Sequence, residues 1–215
     1  MDNIVVLTNN DAKRFNFIKK VICIPNSISF ETNQFANYDK KTFLACGRLT
    51  NQKGFDLLIQ AAVFIKEKLP DWTIQIYGNG EDKEKLNNSI KEKGLENFVY
   101  INEPVNNIKD IYSNSSIYLL SSRFEGLPMV LLESQASGLP GVCFNCPEGP
   151  SDVIIEGENG CLIPMFDIES FANKSIQIAI NKELWMKMTE NSKKLSERFS
   201  PENIYIKWES LIQTL

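Results

Sequence analysis

Two glutamates, Glu125 and Glu133, lie eight positions apart around the predicted start of a helix. Pro128 fits the first helical turn, where its missing N–H costs nothing, and Gly138 and Pro140 end the run of helix formers that follows. Glu125 therefore lies just before the helix, and Glu133 lies a little over two turns into it. At 3.6 residues per turn that spacing predicts that both carboxylates face the same cleft.

The start of this helix suits an anion, because its first N–H groups are unpaired and the helix dipole favours negative charge there. Each carboxylate can accept hydrogen bonds from hydroxyl groups, so we expect a ligand with hydroxyls at two ends and an anion between them. The alternative is a loop acid and a solvated helix acid, since acids are common near helix starts. The amides expected to meet the anion are those of Gly126, Leu127, Met129 and Val130.

A second group of chemically active residues lies in the loop after the apolar run 42–46. The loop begins at Gly47, contains Arg48 and Lys53, and runs into a helical pattern at Gly54. In an open α/β sheet such loops lie at the carboxyl edge of the strands, where ligands bind. Two cations in one loop predict a diphosphate ligand. The alternative is that both are ordinary solvated charges.

Apolar runs alternate with helix-length segments along most of the chain, which predicts an α/β fold with a doubly wound parallel sheet. The predicted strands of this sheet are 42–46, 73–77, 98–101, 117–120, 141–144 and 161–163. The predicted helices are 54–69, 81–93, 108–113, 128–137, 168–180 and 182–199. Short strands at 4–7 and 21–24 flank a helix at 10–18 upstream, and an amphipathic segment covers 201–215 downstream.

Further ligand contacts are predicted at the same sheet edge. Gly78 and Gly80 follow the second strand of the series and let the backbone approach a phosphate or nucleoside, although a plain turn is the alternative. Asn102 and Glu103 end the next strand, where a base could stack or form hydrogen bonds. Gly149 follows a later strand and is a second-tier candidate for closing over a sugar.

The composition of the chain limits the classes of function that it can have. The chain has 215 residues, 43% of them hydrophobic, and 23 basic against 27 acidic residues give a net charge of −4. Nothing here favours nucleic acid, and an anionic ligand needs local cations. No apolar run approaches the roughly 20 residues that span a bilayer, and the N-terminus lacks a basic signal-peptide region. We therefore expect a cytoplasmic protein, with peripheral attachment to the inner face of the membrane left open.

Five cysteines, an odd number, fit reduced thiols. Cys143 and Cys146 form a Cys-x-x-Cys motif, but no second pair and no histidine completes a zinc site. Incidental cysteines at a strand end are the favoured interpretation, and a redox pair is the alternative.

Together the two loop motifs resemble those of the retaining GT-B glycosyltransferases of family 4, also called glycosyl transferases group 1. The resemblance runs from about residue 24 to residue 208, and the paired-glutamate motif is fairly specific. The motifs that carry it are Gly47-Arg48-Leu49 with Lys53-Gly54, Glu125-Gly126-x-Pro128 with Glu133, and Gly138-Leu139-Pro140.

The resemblance implies a role for each of these residues. Arg48 and Lys53 would hold the nucleotide diphosphate and neutralise the charge that develops on it as it leaves. Glu125 would contact the donor-sugar hydroxyls, Glu133 would accept from the ribose hydroxyls, and amides after Glu125 would hold a phosphate. The retaining step would use the donor's own phosphate as base. Where many members have Glu-Gly-Phe-Gly, Pro128 removes one backbone donor, a variant similar to polysaccharide-assembly members.

The resemblance also implies that a complete enzyme has two Rossmann-like domains, of which this chain supplies the C-terminal one. The N-terminal acceptor domain would come from the same or another chain. On that division, 1–24 is a remnant of the acceptor domain, 25–41 a linker, 42–200 the nucleotide-sugar-binding domain, and 201–215 a helix that returns to the first domain.

The function implied is transfer of a sugar, with retention, from a nucleotide diphosphate sugar to a saccharide or lipid-linked acceptor in polysaccharide or glycoconjugate assembly. UDP is the expected nucleotide, and no cofactor or metal is expected, because the sequence has no Asp-x-Asp pair and no histidine. The isolated chain should have at most trace activity. Alternatives are a non-enzymatic nucleotide-sugar-binding subunit and a GT-B epimerase; a dehydrogenase is disfavoured because Gly-x-Gly-x-x-Gly is absent.

Overall fold

A six-stranded parallel sheet forms the centre of the computed structural model, which describes residues 3–15, 17–18, 20–28 and 33–214. The strands are β3 (Thr42–Cys46), β4 (Thr73–Tyr77), β5 (Val99–Asn102), β6 (Ile117–Leu120), β7 (Gly141–Phe144) and β8 (Gly160–Ile163). Their order across the sheet is β5-β4-β3-β6-β7-β8, and every neighbouring pair is parallel.

Helices cover both faces of the sheet, because successive strand residues point to opposite sides. The helices are α2 (Phe55–Lys68), α3 (Lys83–Glu92), α4 (Ile108–Ser113), α5 (Met129–Ala136), α6 (Pro150–Val153), α7 (Ile168–Ile180) and α8 (Lys182–Ser196). In β3, Phe43 and Ala45 join the core under α2, α3, α7 and α8, whereas Leu44 and Cys46 join the core under α4, α5 and α6. The predicted doubly wound α/β fold is therefore confirmed.

Several predicted bounds are corrected at element ends. Pro128 is not in the first turn of α5; it is the N-cap, with an extended backbone at φ −75° and ψ 95°. The long helix predicted over 182–199 ends at Ser196, and a 3₁₀ helix, Glu197–Phe199, completes it. Two further 3₁₀ helices, Tyr38–Lys40 and Asn51–Lys53, and the short α6 were not predicted.

The first residues form a second, small sheet, and the segment between its strands contacts the region after β7 through contacts of Asn9 with Asp152 and of Arg14 with Glu148. Strands β1 (Asn3–Val6) and β2 (Lys20–Cys23) make a two-stranded parallel sheet of their own, connected through α1 (Asn9–Arg14). The final helix, α9 (Pro201–Ile212), packs there through a small core of Ile24, Ile204 and Leu211. The predicted helix 10–18 is shorter than expected, since α1 ends at Arg14; residue 16 lies outside the described ranges.

The segment predicted as a linker, 25–41, is anchored at its second half. The Tyr38 hydroxyl donates to the Ala179 carbonyl oxygen at 2.7 Å, and its ring packs edge-on against Trp72 and Trp185. Residues 29–32 lie outside the described ranges. Of the helices in those ranges, none combines the length and apolar character needed to cross a bilayer.

Candidate functional site

Two loops meet where the order of strands in the sheet reverses. From β3 the chain continues to β4 on one side, whereas β6 lies on the other side of β3. The β3–α2 loop (residues 47–54) and the β6–α5 loop (residues 121–128) therefore leave adjacent parallel strands at the same edge. In doubly wound folds this crevice is where ligands bind, so the structure brings the two predicted motifs to one place.

Hydrogen bonds hold the two loops together. The Ser121 hydroxyl donates to the Lys53 carbonyl oxygen at 2.9 Å, and the Arg123 amide donates to the Gln52 carbonyl oxygen at 2.8 Å. The Gln52 side-chain amide donates in turn to the Phe124 carbonyl oxygen at 3.1 Å. These hydrogen bonds fix the position of the two loops relative to each other.

The Arg123 guanidinium adds a bidentate ion pair to this connection. Its Nη1 and Nη2 atoms donate to the two carboxylate oxygens of Asp56 at 2.8 and 2.7 Å, and Nη1 also donates to the Asn51 carbonyl oxygen at 2.8 Å. The hydrogen bonds from Arg123 lower the pKa of Asp56 and outweigh the opposing effect of burial. Sequence reasoning missed this pair, since nothing in the spacing of the two residues indicates it.

We expect Arg123→Gln to lower the free energy of unfolding at pH 7 by about 1 to 2 kcal/mol, a value discounted because both side chains are partly exposed. The pKa of Asp56 is lowered on folding, so its contribution is complete above the unfolded value of about 3.9. It is lost as pH falls through the lower folded value. Urea unfolding of both proteins at pH 7 and near pH 2 should therefore show the difference shrinking in acid.

A matched control for this prediction is Lys41→Gln, which removes the cation of the exposed Lys41–Asp71 ion pair. We expect the control to change stability little, because exposed pairs contribute little. Equal losses for the two variants at pH 7 would contradict a special role for Arg123.

The two predicted charge motifs meet in an ion pair between Lys53 and Glu125. The Lys53 Nζ atom lies 2.7 Å from Glu125 Oε1, which also accepts a 2.6 Å hydrogen bond from the Ser122 hydroxyl. The Lys53 side chain is 15% exposed and that of Glu125 is 7% exposed. Ser122 was missed by sequence reasoning, although a serine three residues before an acid is a pattern that could have indicated it.

Arg48 differs from Lys53 in having no partner. Its side chain is exposed and makes no hydrogen bond or ion pair within the described part of the chain. It follows Gly47 in the β3–α2 loop, so its guanidinium is available to an anion without breaking a protein contact.

Gly78 and Gly80 lie against the β3–α2 loop. A Cβ atom at Gly78 would lie 1.9 Å from the Gly47 carbonyl oxygen, and one at Gly80 would lie 2.4 Å from the Leu49 carbonyl oxygen. The Gly78 amide already donates to the Asn102 carbonyl oxygen at 3.0 Å, and the Gly80 amide donates to Asn79 Oδ1 at 2.8 Å. These glycines therefore allow the backbone to approach the β3–α2 loop closely. Their contact with a ligand stays a prediction.

Asn102 lies at the end of β5, two strands away from β3. Its side-chain amide donates to Gln75 Oε1 at 2.9 Å, a contact that fixes its orientation. The predicted contact between Asn102 and a base stays a prediction.

The start of α5 presents N–H groups to the crevice. Leu131 and Leu132 both donate to the Pro128 carbonyl oxygen. The four amides predicted to meet an anion have no acceptor in the described part of the chain; they are those of Gly126, Leu127, Met129 and Val130.

Glu133 is held by a tyrosine from α4. The buried Tyr112 hydroxyl donates to Glu133 Oε2 at 3.1 Å and also lies 3.3 Å from the Val130 carbonyl oxygen. Burial raises the pKa of Cys46 to about 12, and the Glu133 carboxylate adds to that shift, which places Glu133 near the end of β3. Whether Glu133 shares a ligand with Glu125 stays a prediction; Tyr112 was not anticipated.

The Cys-x-x-Cys motif does not have the environment of a redox pair. Cys143 and Cys146 are 0% and 1% exposed. Burial raises the pKa of Cys143 well above its usual value and that of Cys146 to about 11, which disfavours the reactive thiolate. Across the described residues, no three His, Cys, Asp or Glu side chains converge as metal ligands would.

Comparison with known proteins identifies the family and the fold. Residues 28–195 match the family described as glycosyl transferases group 1. An uncharacterized glycosyltransferase of Haemophilus influenzae is 36% identical over 98% of this chain and 61% of its own length. The chain thus spans less than two thirds of that relative.

Two solved structures share the fold closely. One is a mutant of S. aureus TarM in complex with fondaparinux, alpha-GlcNAc-glycerol and UDP, with a TM-score of 0.88 and 26% identity over 97% of this chain and 43% of its own. The other is the pneumococcal O-GlcNAc transferase GtfA in complex with UDP and GlcNAc, with a TM-score of 0.83 and 26% identity over 100% of this chain and 45% of its own. The chain belongs to the glycosyl transferases group 1 family and has the Rossmann-like fold of a GT-B domain.

Proposed function

We propose that this chain is the donor-binding half of a retaining, metal-independent glycosyltransferase of family 4 that uses a UDP-sugar. The observation that carries the proposal is the position of the unpaired Arg48 and the Lys53–Glu125 pair on two loops that follow adjacent strands, where the strand order reverses. Cations for a diphosphate and an acceptor for sugar hydroxyls are what such a donor requires.

Each side chain has a defined part in this proposal. Arg48 and Lys53 hold the diphosphate and stabilise the negative charge that develops on it as the glycosidic bond breaks. Glu125 accepts hydrogen bonds from the sugar, Glu133 accepts from the ribose, and the amides at the start of α5 bind a phosphate. Retention follows if the acceptor attacks from the face of the leaving phosphate, which takes the acceptor's proton.

UDP is supported as the nucleotide by the two similar structures, both of which contain it. We propose a saccharide or lipid-linked acceptor in polysaccharide or glycoconjugate assembly, with a cytoplasmic location or one at the inner face of the membrane. The sugar and the linkage are left unassigned, because acceptor choice would depend on a second domain.

That second domain is proposed to continue the small β1–β2 sheet. The sheet is not hydrogen-bonded to the six-stranded sheet and packs with α9, so residues 1–24 and 201–215 would belong to the acceptor side, joined by 25–41 to the donor domain, 42–200. Exposed apolar side chains of α9 are available for such a contact; they are Tyr205, Ile206, Trp208 and Ile212.

Thermal unfolding tests the donor site. In the presence of EDTA, UDP at about 100 times its Kd should add roughly 2.7 kcal/mol to the stability of the chain, because a ligand that binds only the folded state stabilises it. Uridine at the same concentration is the control and should add much less. Stabilisation that requires manganese would contradict the metal-independent site.

A second candidate function is a nucleotide-sugar-binding subunit that acts only with a partner chain, which the exposed face of α9 would serve equally well. Turnover of a UDP-sugar separates the candidates. The isolated chain should bind UDP with at most trace transfer, and addition of an acceptor-side domain should restore transfer in an enzyme but not in a purely binding subunit. Robust transfer by the isolated chain would contradict the half-enzyme proposal.

A further inference from the structure

The Lys53–Glu125 ion pair is complete without a ligand. Glu125 Oε1 accepts hydrogen bonds from the Lys53 ammonium at 2.7 Å and from the Ser122 hydroxyl at 2.6 Å. Both charged side chains are largely buried. An incoming diphosphate therefore meets a lysine that a carboxylate already neutralises.

If a ligand phosphate and the Glu125 carboxylate both contact the Lys53 ammonium, the two negative groups repel each other. This repulsion is strong where water is largely excluded. Arg48 offers a contrast, because it is exposed and has no partner in the described part of the chain. The two cations of the loop are thus not equivalent toward an anion. One is free, and the other is shared with an acid of the protein.

We propose that Glu125 acts as a built-in competitor of the diphosphate for Lys53 and so weakens the binding of free UDP. This inference rests on the proposed donor site. A UDP-sugar can offset the competition, since its sugar hydroxyls donate to the Glu125 carboxylate, whereas free UDP offers no such donor at that position. Glu125 then favours the donor over the leaving nucleotide and assists release of the product.

The test is UDP affinity after the charge of Glu125 is removed. Isothermal titration calorimetry of Glu125→Gln and Glu125→Ala should give about three- to tenfold tighter UDP binding than the original chain, since one like charge beside Lys53 is removed. Uridine affinity should not change. Glutamine keeps the size of the Glu125 side chain and alanine removes most of it, so agreement between the two variants assigns the effect to the lost charge. Thermal unfolding checks that each variant is folded.

Asp71→Asn is the matched control, because Asp71 is also paired with a lysine but lies just before β4, at the opposite edge of the sheet. It should leave UDP affinity unchanged. Tightening by the same factor in the control would overturn the proposal in favour of a general charge effect, and weaker or unchanged UDP binding by folded Glu125 variants would overturn it directly. If the original chain binds no UDP, the proposed function itself fails.

Discussion

Arg48→Ala should weaken UDP binding by tenfold or more while leaving uridine binding unchanged. A charge-assisted hydrogen bond to phosphate contributes about 1.5 to 3 kcal/mol, and each 1.4 kcal/mol corresponds to a factor of ten. Arg48 is exposed and has no partner among the described residues, so its removal should not disturb the fold. Calorimetric titration with UDP and with uridine measures both affinities, and added salt should weaken only the phosphate-dependent part.

Lys53→Ala should also weaken UDP binding, but its interpretation needs a second substitution. Removing Lys53 leaves Glu125 largely buried and without its cation, which costs stability apart from any loss of ligand contact. We therefore expect Lys53→Ala combined with Glu125→Gln to be more stable than Lys53→Ala alone.

The effects of Arg48→Ala and Lys53→Ala should be less than additive, because both cations act on one small anion. Lys41→Ala, at the opposite edge of the sheet, is the control for lost positive charge. Unchanged UDP affinity in the Arg48→Ala, Lys53→Ala double variant would remove the main physical support for the donor site.

The fold was largely predictable because its signals are local. Strands buried on both faces are apolar, as in β6 and in β3 after Thr42, and the long helices repeat their apolar positions every 3.6 residues. The elements that were missed are short: α6 has four residues and the 3₁₀ helix Asn51–Lys53 has three. The conformation of such short segments depends on contacts with neighbouring loops, and the spacing of apolar residues in the sequence does not indicate those contacts.

The site was predictable only in part, for a related reason. The loop positions of Arg48, Lys53 and Glu125 follow from strand–loop–helix order, which places them at one sheet edge. Which side chain pairs with which depends on contacts distant in sequence. Lys53 and Glu125 are 72 positions apart, and Arg123 and Asp56 are 67 positions apart. No spacing rule connects such residues.

Substitution of Gly54 should have a large effect on stability, because this residue lies where the β3–α2 and β6–α5 loops touch. Its backbone is left-handed at φ 63°, and a Cβ atom there would lie 2.1 Å from the Ser121 carbonyl oxygen. Gly94 has the same φ of 63°, but a Cβ atom there would meet nothing within 4 Å. The two glycines therefore differ in the space beside them and not in φ.

Gly94→Ala should lower stability by about 1 kcal/mol, the cost of a left-handed backbone for a residue with a side chain. Gly54→Ala should lower it by about 2 to 4 kcal/mol, since overlap with backbone adds roughly 1 to 3 kcal/mol to the same conformational cost. At about 2 to 4 °C per kcal/mol for a chain of this size, the melting temperatures should differ by several degrees. Only Gly54→Ala should also weaken UDP binding at temperatures where both variants are folded, because separating the loops moves Arg48 and Lys53 away from the amides at the start of α5 that are proposed to bind the same ligand. Equal losses in both variants would mean that the loops are free to separate, and that their contact does not position the site.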